Sequence, residues 1–297
     1  MSNEPMTGTD PYGHPVVDRL RTEQSSVVVG AAVVAAVSVL GQTGLTIAGN
    51  LPFDPMSGLS LLDGLFSIIT PLSLFAAAGA IAFTVNNSLV KVGLLFTAAF
   101  VILGSISPAA GLPAVLGVII GGTVSLFGAV QREVTAGSHR QVPLVGSAIL
   151  GITVSLGGTV GVAPGGAQAV GVGATLVAIA LLGLEMPVDR PSVSVGLIAA
   201  VGVLSVGTWA PFVTGATLLV GFSITNIPVL VVAVAVLGGV TALTSAVRNR
   251  VPLPVAGCVL CLFSGIPTTP ASAAALVIGL TSIMCREALA HQRGEFA

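Results

Sequence analysis

The charged residues of this 297-residue chain are gathered into short stretches that leave six long uncharged intervals between them. A charged side chain at the centre of a membrane-spanning helix costs about 2.5–3.5 kcal/mol on insertion scales, so each interval is available to cross a bilayer. Asp, Glu, Lys and Arg together make up 7% of the chain, under a third of the roughly 25% found in soluble domains. With a mean hydropathy of +1.05, this excludes a water-soluble fold. It predicts an all-α integral membrane protein, a polytopic bundle of about ten transmembrane helices arranged largely as helical hairpins.

The intervals count the spans. Glu23 to Asp54 encloses 30 uncharged residues and Asp63 to Lys91 encloses 27, each room for one helix of about 20 residues with its flanks. Lys91–Arg132, Arg140–Glu185, Arg190–Arg248 and Arg250–Arg286 enclose 40, 44, 57 and 35 residues, and each holds a hairpin. Proline and glycine cluster near every hairpin midpoint, as in Ser107-Pro108, Ala163-Pro164-Gly165-Gly166, Ala210-Pro211 and Ile266-Pro267-Thr268-Thr269-Pro270. The expected spans are 26–48, 64–84, 89–107, 113–130, 143–161, 168–184, 193–210, 227–247, 252–266 and 271–286. The ninth, with Pro252 and Pro254 at its start, is either a short span or a re-entrant segment.

With the N-terminus inside, this alternation puts all ten Lys and Arg residues on the cytoplasmic face and none outside. The expected location is therefore the cell membrane, with both termini cytoplasmic. Residues 1–24 read as a flexible cytoplasmic tail, 25–288 as the transmembrane domain and 289–297 as a short cytoplasmic tail. Val27 to Leu40 could serve as the apolar core of a signal peptide, but the run stays uncharged to Pro52, and a retained first span is expected. The surplus of the 57-residue interval, roughly Pro211 to Asn226, must lie on the outer face or dip in and return.

Hairpins begin alike at Arg140-Gln141-Val142-Pro143 and Arg250-Val251-Pro252-Leu253. Duplication explains this, and so does convergence, because proline in a first turn and arginine at the cytoplasmic lip are generic. Gly117 and Gly121, and Gly157, Gly161 and Gly165, repeat at intervals of four and read as helix-packing seams.

No ionisable residue sits at the middle of a span, which argues against proton relays and voltage sensing. His14, His139 and His291 lie in separate cytoplasmic segments without metal-like spacing, and no cofactor is expected. Cys258 and Cys261 share one helix face but have no basic neighbour in sequence to favour a thiolate, so they read as small apolar side chains. With no nucleophile and base in evidence, an enzyme is not expected. The net charge of −1 offers no field for nucleic acid. The implied partners are the lipid bilayer and, for a scaffold, other membrane proteins or a second copy of the chain.

Asp54 and Asp63 are the only charges expected to face outward, and Asp63 stands where it could cap the second span. Trp209 falls at the outer end of the seventh span, at interfacial depth, and Thr214, Thr217 and Asn226 give the following segment hydrogen-bonding capacity. A candidate outer vestibule lies between these two regions. The span count and length are similar to those of ten-span drug/metabolite-type carriers, whose motifs are absent here, so no residue roles carry over. The leading functional expectation is a permease-like protein for a small neutral or weakly polar solute. The alternative is a non-catalytic membrane scaffold or assembly subunit.

Overall fold

Ten apolar stretches of this sequence become ten α-helices among the residues that the computed structural model describes, which are 15–49, 60–135, 139–164, 166–209 and 228–285. In chain order they are α1 (Pro15–Gly49), α2 (Ser60–Thr84), α3 (Ser88–Ile106), α4 (Gly111–Thr135), α5 (Val142–Thr159), α6 (Ala167–Glu185), α7 (Arg190–Trp209), α8 (Val229–Arg248), α9 (Pro252–Phe263) and α10 (Pro270–Met284). A single 3₁₀ turn, Pro108–Ala110, joins α3 to α4. Seven of the ten are long and apolar enough to cross a membrane; α7, α9 and α10 are shorter apolar helices. The chain is therefore an all-helical, multi-pass membrane bundle.

Helix ends follow local chemistry. The Asn87 side chain accepts the Leu89 N–H at the start of α3, and its amide donates to the Gly128 carbonyl of α4 at 2.6 Å, fixing the root of that hairpin. Thr269 and Ser272 form a reciprocal capping box at the start of α10, with Pro270 in the first turn. At the far ends of α5 and α9 the chain turns through glycine at positive φ, Gly161 at 74° and Gly265 at 70°.

Two elements begin earlier than the sequence pattern implies. α1 starts at Pro15, inside the segment expected to be an unstructured tail. Extending an existing helix fixes one residue per added bond, which is far cheaper than nucleating a new one, and Pro15 is pre-set for a first turn. α2 starts at Ser60, so Asp63 is not its cap but an acidic residue within its first turn, where the helix dipole favours negative charge.

Each hairpin is drawn together by close glycine contacts. A Cβ added at Gly121 of α4 would stand 2.7 Å from the Thr97 nitrogen and 2.8 Å from the Gly93 carbonyl of α3. One at Gly171 of α6 would meet Ser155 of α5, and one at Gly151 would meet Thr175. One at Gly196 of α7 would meet Thr241 of α8, and one at Gly279 of α10 would stand 2.7 Å from the Cys261 sulfur of α9. A glycine opposite a small hydroxyl or thiol thus recurs in four successive hairpins and lets their backbones approach. Gly117, which faces the Phe100 ring, belongs to the α3–α4 seam as well. Gly157 and Gly161 do not extend such a seam: Gly157 meets only Ala163 at 3.7 Å, and Gly161 lies past the end of α5 with open space around it. Gly165 lies outside the described residues.

α10 forms the centre. Every residue from Ala273 to Ile283 is buried, and the helix packs against α9, α4, α2 and α3. A hydroxyl pair, Ser125 of α4 and Thr281 of α10 at 3.3 Å, is the polar contact inside that packing. α6, α7 and α8 carry a second apolar cluster, and the outward faces of α7 and the other peripheral helices are apolar. In a bilayer those faces meet lipid.

Candidate functional site

The shortness of α9 and α10 creates the site. At 1.5 Å per residue, 12 and 15 residues rise about 18 and 22 Å, short of a hydrocarbon core of about 30 Å. The tip of their hairpin, Ser264 to Thr269, therefore stops inside the bundle, with Ile266 and Pro267 buried. Thr43 of α1 clasps it, its hydroxyl proton shared between the Val39 carbonyl at 2.9 Å and the Phe263 carbonyl at 2.8 Å. α1 continues six residues beyond Thr43, about 9 Å of helix. α2 begins ten residues before Thr70, about 15 Å. These two helices rise past the tip as walls, and the tip is the floor.

The result is a cavity of about 230 Å³. Its walls carry Gln42, Thr43 and Thr46 from α1 and Thr70 from α2, and its floor carries Ser264, Thr268, Thr269 and Ser272. Among the described residues, none of its lining side chains is ionisable. Most of the hydroxyls are already engaged: Thr46 donates to the Gln42 carbonyl, Ser264 to the Cys261 carbonyl, and Thr269 and Ser272 to each other's turn. Thr70 differs. It is 2% exposed, and its hydroxyl has no hydrogen-bond partner. The next residue, Pro71, lies inside α2 and has no N–H to offer the Ser67 carbonyl, so the helix lacks one backbone hydrogen bond beside Thr70.

Asp63 lies seven residues before Thr70, two helical turns further out on nearly the same face, and is exposed. Of the other expected vestibule residues, Asp54, Thr214, Thr217 and Asn226 fall outside the described residues, and Trp209 is the last residue of α7. Among the described residues the cavity draws on α1, α2 and the α9–α10 tip, elements that were read from sequence only as spans and a turn. The signal that could have found it is the density of Thr and Ser around the two proline-broken segments, Thr70-Pro71 and Pro267-Thr268-Thr269-Pro270.

Polar contacts link the helices at the opposite end of the bundle. Arg248 at the end of α8 pairs with Asp189 before α7 at 2.9 Å, and Asp189 accepts the Ser192 N–H at 3.3 Å. Hydrogen bonding from Ser192, and secondarily the Arg248 guanidinium, hold the Asp189 carboxyl below the usual carboxylate range. The Ser245 hydroxyl donates to the Pro187 carbonyl at 2.7 Å, and Arg140 donates to the Leu184 carbonyl. At the cavity end, Asp63 is the only charged side chain among the described residues.

Residues 27–284, which include all the helices from the apolar part of α1 to the end of α10, match an integral membrane family of unknown function (DUF8068). The chain belongs to that family. No curated protein and no solved structure matches it.

Proposed function

We propose that the chain, a member of an integral membrane family of unknown function, is a permease-like protein, a reading that rests on its cavity and not on the family. On this reading it takes a small neutral or weakly polar solute from the outer face of the cell membrane into the cavity between α1, α2 and the α9–α10 tip. The observation that carries this reading is the cavity itself: a hydroxyl- and amide-lined space, without ionisable groups among its described residues, sunk among helices whose outer faces are apolar. A concave space with a few convergent polar groups between the helices of a bundle is where a small-molecule site is first sought. Among the described lining residues no acid or base stands beside the hydroxyls to activate them, which favours binding over bond-making, and hence a non-enzymatic role.

Orientation follows from the bundle ends. Lys91, Arg140, Arg190, Arg248 and Arg250 all stand at the end opposite the cavity, which by the positive-inside rule is cytoplasmic. The cavity then opens outward while the Asp189–Arg248 pair holds the inner end closed.

Stopped-flow light scattering on proteoliposomes tests the proposal. Under inward gradients of glycerol, urea or glycine, vesicles holding the protein should re-swell faster than empty vesicles, and a Gln42→Leu/Thr70→Val double variant should lose most of that gain. Rates equal to those of empty vesicles for every solute would overturn the permease reading, and a stoichiometric membrane partner co-purifying with such an inactive protein would favour the scaffold alternative.

A further inference from the structure

Two helix ends of opposite polarity meet at the cavity floor. α9 arrives with its C-terminal end, where Phe263, Ser264 and Gly265 line the cavity, and α10 departs with its N-terminal end, where Thr269, Ala271 and Ser272 line it. A helix C-terminus carries about half a negative elementary charge and an N-terminus about half a positive one, and both effects act within the last turn. In the first turn of α10, Pro270 has no N–H, and the Ala271 N–H precedes the first intrahelical acceptor. Thr70 stands over this floor with a buried hydroxyl that has no partner and is able to donate or accept.

We infer that the ligand of this cavity is a small zwitterion, a solute of amino-acid size with no net charge but with a carboxylate at one end and an ammonium at the other. The inference rests on the permease reading and names the substrate class for the same site. A lone cation would be favoured at the α9 end and opposed at the α10 end, and a lone anion the reverse. Neither would find a counter-charge among the described lining side chains, none of which is ionisable. A zwitterion gains at both ends at once, its carboxylate toward the Ala271 N–H and the Ser272 turn, its ammonium toward the carbonyls that close α9. Thr70 completes the set from the facing wall. Helix ends left pointing into a cavity among apolar helices are suited to such half-charges because the surrounding medium screens them weakly.

Isothermal titration of the full chain in lipid nanodiscs tests this with three groups of probe. The zwitterions glycine, β-alanine and γ-aminobutyrate vary the distance between charges; acetate and methylammonium supply each half alone; glycerol and urea supply neutral polarity. At least one zwitterion should bind saturably, at least tenfold tighter than either half-molecule or either neutral probe. Thr70→Val should weaken that binding roughly three- to tenfold, the loss of one hydrogen bond, and Thr70→Ser should restore it. If Thr70→Val fails to fold, Gln42→Leu carries the same comparison from the α1 wall. Glycerol or urea binding as tightly as the zwitterions, or no zwitterion binding at all, would overturn the zwitterion inference whatever the vesicle flux shows. Zwitterion binding without flux in the proteoliposome assay would instead uphold the inferred ligand class and remove the permease reading.

Discussion

Replacing Gly121 by alanine tests whether backbone approach holds the hairpins together. The added methyl would stand 2.6 Å from the Thr97 hydroxyl, 2.7 Å from the Thr97 nitrogen and 2.8 Å from the Gly93 carbonyl, against about 3.4 Å for ordinary contact. Two of those three atoms are backbone, so no side-chain rotation relieves the clash, and α3 and α4 must part by roughly 0.6–0.8 Å along their seam. Overpacking of this kind costs about 1–3 kcal/mol, offset by about 0.5–1 kcal/mol because alanine suits a helix better than glycine. The net expectation is a loss of about 1–2 kcal/mol. Gly79→Ala and Gly173→Ala are the controls, since an added Cβ at either meets nothing within 4 Å, and each should gain about 0.5–1 kcal/mol. Apparent melting temperature, followed by fluorescence-detected size-exclusion chromatography in mild detergent, should fall several degrees for Gly121→Ala and rise slightly for both controls, taking roughly 2–4 °C per kcal/mol. If Gly121→Ala melts with the controls, the seam is not what determines the helix spacing.

Three smaller tests address other elements. Arg250 holds a left-handed φ of 55° in the turn before α9; Arg250→Gly should raise stability by about 0.5–1 kcal/mol, the left-handed cost less the entropy of glycine, and a fall in melting temperature would refute the strain. Thr43→Val removes the clasp on the Phe263 carbonyl and should cost about 0.5–1.5 kcal/mol; it should also increase hydrogen exchange at 264–269, and unchanged exchange there would count against the clasp. Because the folded-state carboxyl of Asp189 is held below its ordinary value, its contribution is complete above the unfolded value of about 3.9 and is lost as pH falls through the lower, folded one. Asp189→Asn should therefore flatten the acid limb of a melting-temperature profile without changing the limb above neutrality, and an unaltered acid limb would contradict the assignment.

The order and extents of the helices were legible in the sequence because charge is excluded from hydrocarbon, and the uncharged intervals mark each apolar run to within a few residues at most ends. What each run packs against was not legible. α10 and α7 read alike as apolar stretches, yet Ala273 to Ile283 are enclosed by protein while Leu197, Ile198 and Val201 face outward. Without water on either side, polarity does not mark which face is which. The period-four glycines had the same weakness: Gly117 and Gly121 continue through a helix, whereas Gly161 ends one, and spacing is identical in both cases. The cavity was hidden for a further reason. It depends on Thr43 meeting Phe263, 220 residues apart, and on a hairpin that stops short, a property set by where its two helices end rather than by their composition. Of the candidate vestibule, Asp63 lies at the cavity's end of the bundle, while Asp54, Thr214, Thr217 and Asn226 lie outside the described residues.

The account turns on which side of the membrane the cavity opens. Single cysteines at Thr268 on the cavity floor and at Asn249 at the opposite end, introduced after the buried Cys258, Cys261 and Cys285 are replaced by alanine, can be probed in intact cells with a membrane-impermeant maleimide. The account predicts that Thr268→Cys is labelled from outside and is slowed by a bound solute, while Asn249→Cys is labelled only after the cells are opened. Labelling of Asn249→Cys in intact cells, with Thr268→Cys protected until lysis, would contradict it.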